Sequence, residues 1–127
     1  MVVVGSTCEV QDDIAIIRLA PGDFARLADT VRVASQEGAF SQQIRLMIDL
    51  RIPLRDLNYE EIRAQALTLA RMRTVLAPQW AVLAASSSAA ANAACIFATI
   101  AGGEHVTVQV FDDEAKALLW LRQWDLL

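Results

Sequence analysis

The sequence predicts an α/β domain with a five-stranded mixed sheet, and three features of the chain indicate it. Residues 44–51, IRLMIDLR, contain consecutive apolar positions, which are typical of an interior strand covered on both faces. Two β-prone runs, at 2–10 and 14–19, flank a short polar break and predict an N-terminal antiparallel hairpin. The rest of the chain alternates helical and strand-like segments, so the expected element order is ββαβαβαβα.

Length and composition are those of one globular domain. The chain has 127 residues and 55% of them are hydrophobic, so we expect a single core within residues 1–127. The net charge is −4 and Lys116 is the only lysine, so the sequence offers no basic patch for nucleic acid. Cys8 and Cys95 lack metal-ligand spacing and are expected to be reduced, packed thiols.

An uncharged stretch at 74–103 raises the question of a membrane span. Pro78, the serines at 86–88 and the pair Gly102 and Gly103 interrupt it, so a buried strand followed by a buried helix is expected instead. The N-terminal residues have neither the positive charge nor the apolar length of a signal peptide. The expected location is therefore the cytoplasm.

The first helix should open after Pro21, Gly22 and Asp23 and end at Gly38, a residue suited to a helix C-terminus. Its apolar positions follow the three-and-four spacing of one buried face. They are Phe24, Leu27, Ala28, Val31 and Ala34. If all crossovers between parallel strands are right-handed and move the same way, every helix lies on one face of the sheet and the other face is open.

The second helix should begin after Asn58, whose distance along the chain from Glu61 is that of a capping box. It is expected to cover residues 59–76, and Pro78 should stop it before a fourth buried strand at 80–85. Its predicted buried stripe is Ile62, Ala66, Leu69 and Ala70.

An alanine-rich third helix follows the serines at 86–88 and should be ended by Gly102 and Gly103. Residues 106–110 then alternate valine with polar residues, which is typical of an edge strand with one apolar and one wet face.

The last helix should be capped by Asp112 or Asp113. Trp120 and Trp124 are neighbours on its surface. We expect them to be partly buried at the sheet margin; the alternative is an aromatic patch that binds a partner. One face of this helix is expected to carry Ala115, Leu118 and Leu119.

The sequence contains few residues suited to catalysis. Its single histidine, His105, is predicted at the opposite end of the sheet from Asp49 and Ser86, so a nucleophile triad is not expected. A zinc site needs three or four clustered ligands, and one histidine without such neighbours does not supply them. The sequence also has no glycine-rich loop of the kind that binds nucleotides. We therefore expect no enzymatic activity, no cofactor and no metal.

The carboxyl ends of the strands are the expected place for a ligand or partner site, because crevices form there in open parallel sheets. Arg51 could join the serines at a helix N-terminus in binding an anion. Serines are also ordinary N-caps, and Asp49 and Arg51 could simply cap the strand. The candidate residues are Asp49, Arg51, Ser86, Ser87, Ser88 and Asp112.

Three segments, MIDLR, WAVLAASSS and VQVFDDEAKALLWL, resemble the SpoIIAA-like, STAS-like proteins of bacteria. Members typically carry Asp-Leu-Arg after the third strand and a V-F-x-[DE]-x-x-x-A-x-x-W-L ending, and the similarity covers nearly the whole chain. The resemblance implies a SpoIIAA-like (STAS-like) fold without catalytic machinery. Related anti-sigma-factor antagonists have a phosphorylatable serine at the start of the helix after the third strand, where residues 55–59 read RDLNY. Phosphorylation at that place is therefore not expected.

Two functions remain open at this point. The first is a non-enzymatic protein-interaction or regulatory module that binds a protein partner or a second copy of itself through the open sheet face or the tryptophan-bearing last helix. The alternative is binding or sensing of a small anionic or lipid-like ligand at the carboxyl ends of the strands. The pocket for such a ligand is expected to be lined by residues 49–54, 86–89 and 111–113.

Overall fold

The computed structural model describes residues 7–11, 13–20, 22–38, 43–51, 58–86 and 89–123. They form an α/β structure whose element order confirms the predicted ββαβαβαβα. The elements are β1 (Thr7–Gln11), β2 (Ile14–Arg18), a 3₁₀ turn (Phe24–Arg26), α1 (Leu27–Gln36), β3 (Ile44–Asp49), α2 (Tyr59–Ala70), β4 (Leu76–Leu83), α3 (Ala89–Gly102), β5 (Thr107–Phe111) and α4 (Glu114–Gln123).

The sheet has the strand order β1-β2-β3-β4-β5, with β1 antiparallel to β2 and every other pair parallel. β3 is the central strand and all six of its residues are buried, as its apolar sequence predicts. β5 lies at the edge, and its exposed Thr107 and Gln109 alternate with half-buried Val108 and Val110. The prediction of a half-wet edge strand is confirmed.

The N-terminal hairpin is also confirmed over the part that the structure describes. Gln11 pairs with Ile14, and Asp13 between them has a left-handed φ of 65°, as the second loop position of a type I′ hairpin turn requires. Residues 2–6 of the predicted first strand lie outside the described residues.

Both faces of the sheet are apolar, and helices cover both. Alternate residues of the strands face α1, α2 and α3 on one side, here called the α1–α3 face: they include Ala15, Ile17, Leu46, Ile48 and Val82. The opposite side, the α4 face, carries Ile14, Ile16, Met47, Ala81 and Leu83 beneath Ala117 and Leu121 of α4. The expectation of one open face is therefore wrong. An apolar second face needs a cover, and α4 folds back over it.

Helix α1 agrees with its predicted face. All five predicted apolar positions are buried, and Gly38 has the left-handed φ of 79° that favours glycine after a helix. The first turn has no side-chain cap of its own. Instead, the backbone amide of Ala28 donates to Oε1 of Gln65 on α2 at 2.8 Å, which satisfies one of the free amides of the helix start.

Helix α2 begins as predicted but ends earlier. The amide of Glu61 donates to Oδ1 of Asn58 at 2.8 Å, and the predicted buried stripe is buried. The helix ends at Ala70, so the expected extent of 59–76 is wrong. The amide of Met72 turns back to the carbonyl of Leu69, and the chain reaches the sheet where the amide of Ile44 donates to the carbonyl of Val75.

Strand β4 consequently starts at Leu76 and contains Pro78, so the predicted bounds of 80–85 are wrong as well. Leu76 pairs with Ile44, whereas Trp80 pairs with Leu46, so β4 has extra residues at a bulge. A bulge residue makes no ladder hydrogen bond, and proline has no amide to donate, so Pro78 fits there.

The end of α3 is a Schellman motif. The amide of Val106 donates to the carbonyl of Ala101 and the amide of His105 to that of Gly102. His105 occupies the left-handed position of the motif with a φ of 68°. The sequence predicted that Gly102 and Gly103 end the helix; they lie in its last turn and directly after it, while the left-handed position that favours glycine is held by histidine.

Replacing His105 with glycine should therefore raise the free energy of unfolding by about 1 kcal/mol, because a left-handed φ strains residues that carry a Cβ. The matched control is Gly38→Ala, which introduces the same strain at the end of α1 and should lower stability by a similar amount. Urea unfolding measures both changes. A His105→Gly protein that is less stable than its parent would show that the imidazole makes a compensating contact.

Helix α4 differs from its predicted face. Asp113 caps it through Oδ1, which accepts from the amide of Ala115 at 2.8 Å. Ala117 and Leu121 are its buried residues. Of the predicted face, Leu118 is half-buried against the sheet, whereas Ala115 and Leu119 are exposed, so the prediction is wrong for those two residues. The helix lies with Ala117 and Leu121 on the α4 face, where they pack with Met47, Ala81 and Leu83.

Two further side chains complete the α4 face. Trp120 is half-buried against the ring of Phe111, 5.8 Å between centroids, which confirms its predicted place at the sheet margin. Trp124 lies outside the described residues. Arg45 on β3 is buried, and its Nη1 donates to the carbonyl of Leu121 at 2.8 Å, which ties the C-terminal end of α4 to the centre of the sheet.

The two cysteines differ in environment. Cys8 is half-buried, and burial raises the pKa of its thiol. Cys95 is exposed on α3, so the expectation that both thiols are packed is wrong for this residue.

Candidate functional site

Four charged side chains meet at the carboxyl ends of β2 and β3, and they are called here the charged cluster: Arg18, Asp49, Arg51 and Glu114. Register pairs Arg18 with Asp49 across the two strands, and Glu114 reaches them from the first turn of α4. Nη1 of Arg18 lies 3.1 Å from Oδ2 of Asp49 and 2.8 Å from Oε1 of Glu114.

Arg51 closes the cluster from the other side of Asp49. Its Nε and Nη2 each donate to the carboxylate of Asp49 at 3.0 Å, which is a bidentate pair. Its backbone amide also donates to Oδ1 of Asp49 at 2.9 Å, and Nη2 lies 3.4 Å from Oε1 of Glu114. Asp49 therefore caps the end of β3, and two arginines and two carboxylates balance one another.

The pKa of Asp49 reflects this environment. Burial of the side chain, which is 12% exposed, would by itself raise its pKa. The hydrogen bonds and charge of Arg51, with the bond from Arg18, outweigh burial and hold the pKa below its ordinary value. The pKa of Arg18 is raised chiefly by its hydrogen bond to Glu114, and that of Arg51 by its hydrogen bond to Asp49.

The cluster should make stability depend on acid pH. Because the folded state lowers the pKa of Asp49, its contribution is present above the unfolded value of about 3.9 and is lost as pH falls through the lower folded value. We expect an Asp49→Asn variant to lose less stability than the parent between about pH 5 and pH 2. Urea unfolding across this range measures it, and equal slopes for the two proteins would contradict the assignment.

The other predicted residues lie apart from the charged cluster. The hydroxyl of Ser86 donates to Oδ2 of Asp112 at 3.3 Å, between the ends of β4 and β5. A depression of about 320 Å³ there is lined by Ala84, Ser86, Ala91, Val110, Phe111 and Asp112. Among the described residues, no hydrogen bond joins Arg51 to Ser86. Ser87, Ser88 and residues 52–54 of the expected pocket lie outside the described residues.

A larger cavity, called here the amino-edge cavity, lies at the opposite edge of the sheet. Its volume is about 370 Å³, and His105 stands on its rim, which agrees with the predicted distance of this residue from Asp49. No local sequence pattern indicates the cavity, because its walls come from three separate stretches of the chain, at residues 43, 69–80 and 104–106. They are Gln43, Leu69, Ala70, Met72, Arg73, Leu76, Ala77, Pro78, Trp80, Glu104, His105 and Val106.

The outer surface of α3 is a third feature. The helix has 14 residues and none is charged, although Asn92, Cys95 and Thr99 are exposed. Beside it runs a shallow groove of about 270 Å³ that is lined by Tyr59, Cys95, Ile96, Thr99 and Ile100. Tyr59 at the start of α2 is 55% exposed. These five residues are called here the α2–α3 groove.

Within the described ranges, no three His, Cys, Asp or Glu side chains come close enough together to hold a metal ion. None of the helices that the structure describes has the length and apolar character needed to cross a membrane. Comparison with protein-family models, with curated proteins and with solved structures finds no match to this chain.

Proposed function

We propose that this chain is a non-enzymatic, STAS-like interaction module of the cytoplasm that binds a protein partner through α3 and the α2–α3 groove. One observation carries the proposal: α3 exposes a surface without any charged residue. The other three helices carry charges, for example Arg32 on α1, Arg63 on α2 and Lys116 on α4. Depletion of charge is typical of the buried centre of a protein interface.

The STAS-like part of the proposal rests on the sequence motifs and the element order. The Asp and Arg of the motif MIDLR form the bidentate pair of the charged cluster. The Asp-containing ending supplies the cap of α4 at Asp113. The motif residues thus have structural roles, which supports an interaction module in preference to an enzyme.

A second copy of the chain is the partner that we propose. Each chain carries a net charge of −4, so two copies repel unless they meet through a surface without charge, and α3 provides one. A two-fold contact places the same patch on both subunits, so an uncharged helix can face itself.

The test is the oligomeric state of the parent and two variants by light scattering. The parent should dimerise as its concentration rises, and Cys95→Glu should be monomeric because it buries an unpaired charge. Val33→Glu is the matched control: it places the same charge on an exposed apolar position of α1 and should leave the dimer intact. A monomeric parent at high concentration, with no partner recovered in pull-downs, would remove the proposal.

A small-ligand function is the second candidate, and the depression beside Ser86 and Asp112 favours it. An anionic or lipid-like ligand at 100 times its dissociation constant should stabilise the protein by about 2.7 kcal/mol. A thermal-shift screen of anions and lipids would detect this. Arg51→Ala should leave the shift unchanged, because Arg51 belongs to the charged cluster and does not line the depression. A reduced shift would instead place the ligand at the charged cluster.

A further inference from the structure

The amino-edge cavity has features of a binding site that neither proposed function uses. We propose that it binds a small organic carboxylate with an apolar body. The apolar part would lie on the buried floor of the cavity, and the carboxylate would meet Arg73 and His105 at the rim.

The floor is suited to an apolar group. Leu69, Leu76, Trp80 and Val106 are all buried residues of the core, and each lines the cavity. Trp80 satisfies its indole N–H internally, by donating to the carbonyl of Ala77 at 3.0 Å, so the floor presents apolar surface. A volume of about 370 Å³ falls in the range of ligand pockets, which starts near 300 Å³.

The rim supplies a cation without an acidic partner. Nη2 of Arg73 donates to the backbone carbonyl of Glu104 at 3.4 Å, a long bond that spans the loops before β4 and β5. No carboxylate of the described residues lies within ion-pair distance of Arg73, in contrast to Arg18 and Arg51 of the charged cluster. A guanidinium held in this way keeps donors for a bidentate contact with a carboxylate.

His105 is the second donor of the rim, and the backbone holds it there at a cost in strain. It occupies the left-handed position where glycine is favoured, with a φ of 68°. Residues in such conformations cluster at ligand sites. The α3–β5 loop would be more stable with glycine, but it would then lose the imidazole at the cavity.

The wall of the cavity contains a second irregularity of the backbone besides the left-handed φ of His105, which is the bulge in β4. Ala77 and Pro78 belong to the bulge at which the register of β3 and β4 shifts, and both line the cavity. Bulges are frequent beside active sites, where they redirect a side chain or end the strand pairing. A strained histidine, a bulge and an arginine without an acidic partner therefore meet at one apolar cavity.

Glu104 also lines the cavity, so the proposal predicts opposite changes in affinity for two substitutions. Its carboxylate opposes an anion, so its charge should weaken binding. Glu104→Gln should tighten the affinity for a carboxylate, whereas Arg73→Gln should weaken it.

The experiment is calorimetric titration with butanoate, hexanoate, octanoate and phenylacetate, each compared with its own amide. We expect at least one carboxylate to bind about tenfold more tightly than its amide, since charge-assisted bonds to arginine need the anion. Arg73→Gln should lose this preference. The matched control is Arg71→Gln, an exposed arginine outside the cavity, which should keep it.

Three titration results would overturn the proposal: no binding by any of the four carboxylates, equal affinity for acid and amide, or unchanged affinity in Arg73→Gln. Amide chemical-shift changes locate the ligand, and changes centred on Ser86 and Asp112 would place it at the carboxyl edge instead. The monomeric Cys95→Glu variant should still bind the carboxylate. Failure of the interaction proposal is thus distinguishable from failure of this one.

Discussion

Replacement of Trp80 by alanine is expected to lower the free energy of unfolding by about 3 to 5 kcal/mol, the largest effect that we predict for a single residue. Trp80 is 1% exposed on the central part of β4. Its ring lies 6.0 Å from that of Phe97 on α3, so it joins the sheet to the helix above it. Alanine would remove this contact and leave a cavity that the rigid sheet cannot close.

Urea unfolding measures the change, and Trp120→Ala is the matched control. Trp120 is half-buried and packs on Phe111 at the sheet margin, so its loss should lower stability by a smaller amount. Equal effects of the two substitutions would contradict the central place assigned to Trp80.

Replacement of Ile48 by alanine is expected to lower the free energy of unfolding by about 2 to 5 kcal/mol. Ile48 is buried on the α1–α3 face of β3, with neighbouring strands on both sides. The lost transfer energy and the remaining cavity both add to the effect.

Arg63→Ala serves as the comparison for Ile48→Ala. Arg63 is exposed on α2, and its replacement should change stability by no more than about 0.5 kcal/mol. Urea melts of both variants test the ranking. An Ile48→Ala protein as stable as its parent would show that β3 is not the centre of the fold.

The sequence predicted most of the secondary structure because its apolar pattern is regular. The three consecutive apolar residues 46–48 indicate a strand covered on both faces, and β3 is such a strand. Asn58 and Glu61 mark the start of α2, where the backbone amide of Glu61 donates a hydrogen bond to the side chain of Asn58. These signals are local, so they can be read without knowledge of the fold.

The boundary between α2 and β4 could not be predicted in the same way. Met72, Val75 and Leu76 continue the helical spacing of the preceding stripe, so periodicity extends the helix past Ala70. What ends it is the pairing of Leu76 with Ile44, a contact between residues that are distant in sequence. A bulge then accommodates Pro78, the residue at which the sequence predicts that the helix stops.

The charged cluster and the amino-edge cavity depend even more than this boundary does on contacts between residues that are distant in sequence. The pairing of Asp49 with Arg51 lies within three residues and follows from the motif, but Arg18 and Glu114 join them from other elements. Glu114 reaches the charged cluster because α4 lies over the α4 face of the sheet, and the amphipathic pattern of α4 does not indicate that position. The amino-edge cavity likewise is lined by segments between Gln43 and Val106, and no single one of these segments carries a sequence pattern that predicts it.

The order of the strands in the sheet has a consequence for the growth of the chain on the ribosome. Each strand lies beside the one synthesised before it, so the sheet can be extended one strand at a time as the chain emerges. Helix α4 is made after all five strands, and until it docks, Met47, Ala81 and Leu83 form an apolar strip facing water. Helix α4 therefore covers a sheet whose strands have already been synthesised. A chain that stops before residue 114 should still form the strand pairs but aggregate through that strip.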